Sequence, residues 1–298
     1  MQQVLTNDSK IKPIITFLKP ISAAFAIGTG GPFGAEGPII ATGGAFGSLT
    51  GQIMKITSSE RKIMLAAGAC AGMAAIFGSP LAAVLLAIEL LLFEFSPRSI
   101  IPVALSCVTG AAAHFALFGS ESVFAMPNIP EPTSMAMVVY VILGAIMGVA
   151  AALVSKGVYL VEDLFERLPI HWMWWPAIGA LAVGIVGYFA PRTLGVGYSN
   201  ISDLLSGNLT VQVLLMLCFM KFLSWVISLG SGTSGGTLAP LLTIGGALGG
   251  LLGMATLALF PGSEVNVMTC VLIGMAAMFA GASRALLTSI VFALETTM

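Results

Sequence analysis

Apolar runs of helical length alternate with short polar or glycine-rich breaks along nearly the whole chain, a pattern that predicts membrane helices and no strands. Residues 13–27 read as a short apolar helix interrupted by Pro20, and residues 38–54 as a second helix that follows a glycine-rich lead-in. A charged turn, KITSSERK, comes before two segments, 63–77 and 80–93, split at Gly78-Ser79-Pro80. Each is too short to cross a bilayer of about 30 Å comfortably, so they are expected as a broken pair. Residues 99–118 follow, then a proline-rich polar loop, GSESVFAMPNIPEPTS. The longest helix is predicted over 134 to about 168, its far end VEDLFERL turning amphipathic, and HWMWWP at 171–176 reads as an interfacial aromatic anchor. Residues 176–190 predict another helix, ISDLLSG a short polar helix or loop, and 210–229 a helix leading to a second glycine-rich stretch. Residues 266–280 and 285–296 form a second broken pair.

The two glycine-rich stretches are copies of one design. At a fixed offset of 202, Gly28, Gly30, Gly34, Pro38, Gly43, Gly44, Gly47 and Gly51 fall on Gly230, Gly232, Gly236, Pro240, Gly245, Gly246, Gly249 and Gly253. Each copy is an irregular lead-in, then a proline in the first helical turn, where a missing N–H costs nothing, then an apolar helix. The glycines spaced four apart leave each helix a bare stripe that another helix can approach closely. At an offset of 206, Gly68, Leu81, Ala87 and Glu89 fall on Gly274, Leu287, Ala293 and Glu295, so the duplication includes the broken pairs. Paired interrupted helices in two halves point to the transport site of a repeat-built transporter. The expected domain is single, over 1–298, with a first repeat at about 13–118, a linker at 119–133 and a second repeat at about 134–298.

Composition narrows the class. Charged residues are 8% of the chain and hydrophobic residues 57%, with a mean hydropathy of +1.01, against roughly a quarter charged in soluble domains. The fold class is therefore all-α, a polytopic helical membrane protein with an internal repeat and broken, tilted helices. A net charge of −1 gives no argument for nucleic acid. Cys70, Cys107, Cys218 and Cys270 stand singly in apolar runs and suggest small buried residues, with no disulfide framework. The polar start, MQQVLTNDSKIKP, shows no signal-peptide pattern. His114 and His171 have no partner at ligand spacing, so neither metal nor cofactor is expected. An intramembrane enzyme is disfavoured, because the glutamates have no histidines near them and neither a GxSxG nor an HExxH motif is expected. Glu36, at the start of an apolar helix, either complements the helix dipole or lines an ion path. Isolated Lys221 and Arg284 suit neutralising buried carboxylates, or snorkelling, better than holding a transported anion.

Two motifs carry a family resemblance. Gly34-Ala35-Glu36-Gly37-Pro38 resembles the G-R-E-G-P stretch of the CLC family of chloride channels and chloride/proton antiporters, and Gly236-Thr237-Leu238-Ala239-Pro240 resembles its G-x-F-x-P stretch. The runs SPLAAVLLAIE at 79–89 and SRALLTSIVFALE at 283–295 resemble the segments that follow those motifs. The sequence departs from the family at Ala35, usually arginine, and at Leu238, usually phenylalanine. The resemblance implies inverted repeats, a homodimer with one pore per subunit in the lipid bilayer, and chloride as the transported ion. It implies Glu36 as a gate that competes with the anion, backbone N–H groups of Thr237 and Leu238 as central anion ligands, and those of Ala35, Glu36 and Gly37 as an outer site. Such donors suit chloride because they carry partial positive charge without a fixed cation that would trap the ion. Leu90 aligns with the internal glutamate of proton-coupled members, and its neighbour Glu89 is either part of a proton path or a structural carboxylate at a helix end, like Glu295. The family's anion-binding serine and tyrosine segments would fall upstream of residue 1 and beyond residue 298. The expected function is chloride permeation gated by Glu36 without tight proton coupling; a chloride/proton antiporter, a fluoride-selective relative and a truncated, non-conducting subunit are the alternatives.

Overall fold

The structure, a computed structural model, describes residues 7–207 and 209–297; residues 1–6 of the polar start lie outside them. In chain order the helices are α1 (Ile15–Gly28), α2 (Glu36–Ile53), α3 (Ser58–Phe77), α4 (Pro80–Leu86, continued by a π-helical turn over Ala87–Leu92), α5 (Pro97–Phe118) and α6 (Ser134–Glu166). They continue with α7 (Trp175–Phe189), α8 (Tyr198–Leu205), α9 (Val211–Gly230), α10 (Leu238–Leu259), α11 (Val267–Ser283) and α12 (Leu286–Thr297). Among the described residues no strand occurs, only an isolated two-residue bridge. α5, α6, α9, α10 and the stretch Trp172–Phe189 are long and apolar enough to cross a membrane.

Local sequence explains most ends, and some lie elsewhere than the hydropathy pattern predicts. Helix α3 begins at Ser58, inside the charged turn, because Thr57 and Glu60 form a capping box: Glu60 N–H donates to Thr57 Oγ1, and Thr57 N–H donates back to the Glu60 carboxylate. The Thr57 hydroxyl also donates to that carboxylate at 2.7 Å, and with the backbone bond it holds the Glu60 pKa below its ordinary value. With that extra turn α3 reaches 20 residues, so only α4 of the first broken pair is short. The break falls where predicted: Gly78 takes a left-handed φ of 60° and donates its N–H to Ala74, and Pro80 opens α4. In the second pair Arg284, exposed, takes the same left-handed conformation at φ 60° where a glycine would carry less strain. Pro20 lies within α1 and does not interrupt it. ISDLLSG falls within and just after α8.

By its contacts the chain divides into two compact units that do not follow the sequence halves. The first comprises Met1–Ala24, Glu36–Ala125 and Ala285–Met298, so it includes α12 of the second repeat. Inside it α2 crosses α3 at Gly43 and Gly68, where a Cβ on either residue would strike the carbonyl oxygen of the other. Gly47 meets the Met64 carbonyl in the same way, and α5 approaches α3 where a Cβ on Gly110 would lie 2.5 Å from the Ala71 oxygen. Buried Arg61 donates to the carbonyls of Asp8 and Ile56, fixing the chain ahead of α1 against the start of α3.

The second unit comprises Phe25–Ala35 and Met126–Arg284, taking its first segment from the first repeat. Here α10 crosses α11 at Gly245 and Gly274, and Gly249 meets the Cys270 carbonyl. These are the repeat partners of Gly43, Gly68, Gly47 and Met64, so the duplicated sequence produces the same backbone crossing in each unit. Short α8 covers α10, with Leu204 Cδ1 3.3 Å from where a Cβ on Gly246 would stand.

Each crossing depends on the absence of one methyl group. Gly68→Ala and Gly274→Ala are expected to cost about 3 kcal/mol each, because a rigid carbonyl and not a flexible side chain occupies the space. Gly144→Ala on α6, which meets nothing within 4 Å, is expected to leave stability unchanged or raise it by about 0.5 kcal/mol through helix propensity. Thermal unfolding midpoints of the purified variants in detergent check both.

Candidate functional site

The second unit brings the two glycine-rich lead-ins together. Gly34 N–H donates to the Gly236 carbonyl at 3.1 Å and Gly236 N–H to the Gly34 carbonyl at 3.0 Å, an antiparallel bridge between residues that are partners in the repeat. Beside it the fully buried ring of Phe33 lies where a side chain on Gly235 would otherwise be. Gly30 and Gly232, partners at the same offset, both take positive φ, 101° and 78°. Two residues beyond the bridge on each strand a helix begins, α2 at Glu36 and α10 at Leu238.

Both starts are buried. Glu36 is 2% exposed and Leu238 6%, and the first ten residues of α10 are buried without exception. The first-turn N–H groups of an α-helix have no acceptor within the helix and sit at its positive end. Ala35, Glu36 and Gly37 stand at the start of α2, and Thr237 and Leu238 at the start of α10. Pro38 and Pro240 each fill the third position of their helix, where a lost N–H breaks no helical bond. Thr237 precedes α10 without a side-chain cap of its own. In the first unit a cavity of about 340 Å³ opens beside the start of α2, lined by Lys19, Gly37, Ile40, Ala41, Gly44 and Leu65 among others.

The broken pairs are joined by carboxylates. Glu89 accepts hydrogen bonds from the N–H groups of Leu287 and Thr288 at 3.0 and 2.9 Å and from the Thr288 hydroxyl at 2.7 Å, capping α12. Glu295 accepts from the N–H groups of Leu81 and Ala82 at 3.0 and 2.8 Å, capping α4. Leu81, Ala82 and Glu89 are the repeat partners of Leu287, Thr288 and Glu295, so two short helices cap each other through the same contact used twice. Leu90 is half-buried in the π-helical turn, closed by the Phe93 N–H on the Ile88 carbonyl. Lys221, fully buried, donates to the carbonyls of Thr193 and Gly195 at 2.9 Å each. His114 Nδ1 pairs with the Ala75 carbonyl, and the four cysteines are buried and free. Against the expectation that no G-x-S-x-G occurs, Gly232-Thr233-Ser234-Gly235-Gly236 spells it, but the stretch lies in a helix-to-helix loop and not on the strand-to-helix turn on which that motif presents a nucleophile.

The sequence profile described as voltage gated chloride channel matches residues 1–298. The chain belongs to the CLC family. Among curated CLC relatives it is 30% identical over 279 residues to the H(+)/Cl(−) exchange transporter ClcA of Vibrio campbellii, an alignment covering 91% of this chain and 60% of the relative. To the protein of the same name from Citrobacter koseri it is 33% identical over 291 residues, covering 94% of this chain and 61% of the relative. Among solved CLC structures it is similar to a slow cyanobacterial Cl−/H+ antiporter, with a TM-score of 0.82, 28% identity, and coverage of 91% of this chain and 65% of that one. A CLC-type fluoride/proton antiporter shares the fold, with a TM-score of 0.77 at 23% identity, covering 90% of this chain and 66% of that one. The chain thus spans about 60% of the length of these curated CLC relatives. As a CLC chain with five spans of membrane-crossing length, it is an integral, multi-pass membrane protein.

The reciprocal caps give this CLC chain a measurable dependence on two carboxylates. Glu89→Gln and Glu295→Gln are each expected to cost about 1–2 kcal/mol, the range of a lost helix cap with its dipole interaction. Glu94→Gln, exposed on the neighbouring turn, is expected to stay within about 0.5 kcal/mol of the parent. Unfolding midpoints in detergent, with amide exchange in residues 286–297 for the Glu89 variant, check the assignment.

Proposed function

We propose that the protein conducts chloride across the membrane along a path controlled by Glu36. The observation that carries this is the Gly34–Gly236 bridge: it ties the two lead-ins together two residues before the buried helix starts that bear the anion-suited N–H groups. In this proposal Ala35, Glu36 and Gly37 offer their N–H groups to an outer anion, and Thr237 and Leu238 theirs to a central one. The ionised Glu36 carboxylate competes with chloride for the donors at its own helix start, and protonation or displacement clears the path. The working unit is a homodimer with one path in each subunit, in keeping with the family resemblance.

Proton coupling distinguishes two versions. We favour chloride movement without tight proton counter-transport, because Leu90 cannot carry a proton and Glu89 has its carboxylate engaged in capping α12. Coupled exchange is the second version, favoured by the H(+)/Cl(−) exchange transporter name of the ClcA relatives.

Purified protein in liposomes with an outward chloride gradient tests both. Glu36→Gln is expected to raise chloride efflux and flatten its dependence on pH; unchanged rate and pH dependence would remove Glu36 from the path. An absence of chloride flux from the parent protein would identify a non-conducting subunit. Recorded beside chloride, proton movement is expected to show no fixed ratio to it. Protons driven uphill in proportion to chloride, and stopped by Glu36→Gln, would establish the exchanger.

A further inference from the structure

The first lead-in loop, residues 28–34, is packed through the buried ring of Phe33 and open on another side. A cavity of about 350 Å³ borders it, lined by Thr29, Gly31, Phe33, Leu194, Ser228 and Thr233 among others. Hydrogen bonds complete its placement: the Gly30 and Gly31 N–H groups donate back to the carbonyls of Ile27 and Ala26 at the end of α1. The Gly34–Gly236 pair holds one end, and at the other the Gly30 carbonyl accepts the Gly195 N–H at 3.1 Å. Gly195 belongs to the loop between α7 and α8, two residues beyond a 3-10 turn at Pro191–Thr193.

Lys221 fixes that loop. Its ammonium, 0% exposed at mid-length of α9, donates to the Thr193 and Gly195 carbonyls at 2.9 Å, so Gly195 is gripped through its carbonyl while its N–H holds Gly30. Charge-assisted bonds of this kind are stronger than neutral ones, and a buried ammonium has a high cost for leaving its acceptors. Asn200 reinforces the loop through Nδ2 on the Arg192 carbonyl at 2.7 Å. Thr193 is itself fully buried, and a Cβ on Gly187 would run into Leu194, so the loop has one seat against α7.

We infer that Lys221 is a positioning residue for Glu36: by clamping Thr193 and Gly195 it fixes Gly30, and with Gly34 pinned to Gly236 this sets the path of the chain into the start of α2. The inference rests on the gating role proposed for Glu36. In this inference Lys221 acts through two peptide groups and one loop. Loss of the clamp lets the loop move into the adjoining cavity and takes the carboxylate off its own N–H donors.

The test compares Lys221→Met in the parent and in the Glu36→Gln background. Amide exchange across residues 28–34 is expected to speed up by about tenfold or more in Lys221→Met, while α3 keeps its protection. Chloride efflux from liposomes is expected to change by about fivefold or more in the parent background and by less than about twofold in Glu36→Gln, the non-additivity of residues acting through one group. Where Lys221→Met is not recovered as a monodisperse protein, Asn200→Ala loosens the same loop and is held to the same two criteria. Unchanged exchange at 28–34 overturns the clamp whatever the flux. Faster exchange with an equal flux change in both backgrounds overturns its action through Glu36. If Glu36→Gln alone leaves flux and its pH dependence untouched, the gating role falls, the positioning of a gate falls with it, and the exchange result alone decides whether the clamp stands.

Discussion

A break in a membrane helix leaves backbone N–H groups where no water reaches them, and each such group must find an acceptor within the protein. This constraint shapes the molecule at every interruption. At the broken pairs the acceptors are carboxylates: Glu89 serves α12 and Glu295 serves α4, each oxygen taking one N–H. At the lead-ins the acceptors are backbone carbonyls, Gly34 and Gly236 each serving the other, while at the α7–α8 loop the converse need, carbonyls that lack a donor, is met by the Lys221 ammonium. α10, like α5, α7, α8 and α9, starts without a side-chain cap from the residue before it.

Much of this was legible in the residues. The offsets of 202 and 206 identify Gly43 with Gly245 and Gly68 with Gly274, and those glycines meet their opposite carbonyls in both units. The prolines mark first turns because only there is their missing N–H without consequence. The Thr57-x-x-Glu60 box was present but lay in a charged turn, and apolar periodicity alone begins the helix too late. The π-helical turn at Ala87–Leu92 has no signature in composition, since it arises from how α4 packs. Glu89 looked ambiguous because a carboxylate in an apolar helix reads the same whether it carries protons or caps a helix 198 residues away.

The clearest illegible feature is the grouping of elements. Sequence halves imply units that fold in series, yet α12 belongs with the first unit and the first lead-in with the second. The cause lies in long-range backbone chemistry: the donors that satisfy Glu89 and the acceptor that holds Gly195 lie in the other half of the sequence. Lys221 shows the same limit. An isolated lysine in an apolar run suggests a charge partner, and nothing in the run points to the two loop carbonyls that it also binds, whose place only the fold defines.

The reciprocal caps also impose a schedule on biosynthesis. When α4 leaves the ribosome its cap, Glu295, has not been made, and the residues that will engage Glu89 follow it by 198 positions. At roughly 5–20 residues per second, about 10–40 s pass in which a short helix waits in or beside the bilayer with its N-terminal amides unanswered. During that interval the nascent first half depends on a neighbour to shelter it, whether translocation machinery, lipid headgroups or a chaperone. Helix α12 then acts as a closing clasp, and a ribosome that stalls before it leaves behind a polar helix end in a hydrocarbon setting, a form that quality control in the membrane can recognise.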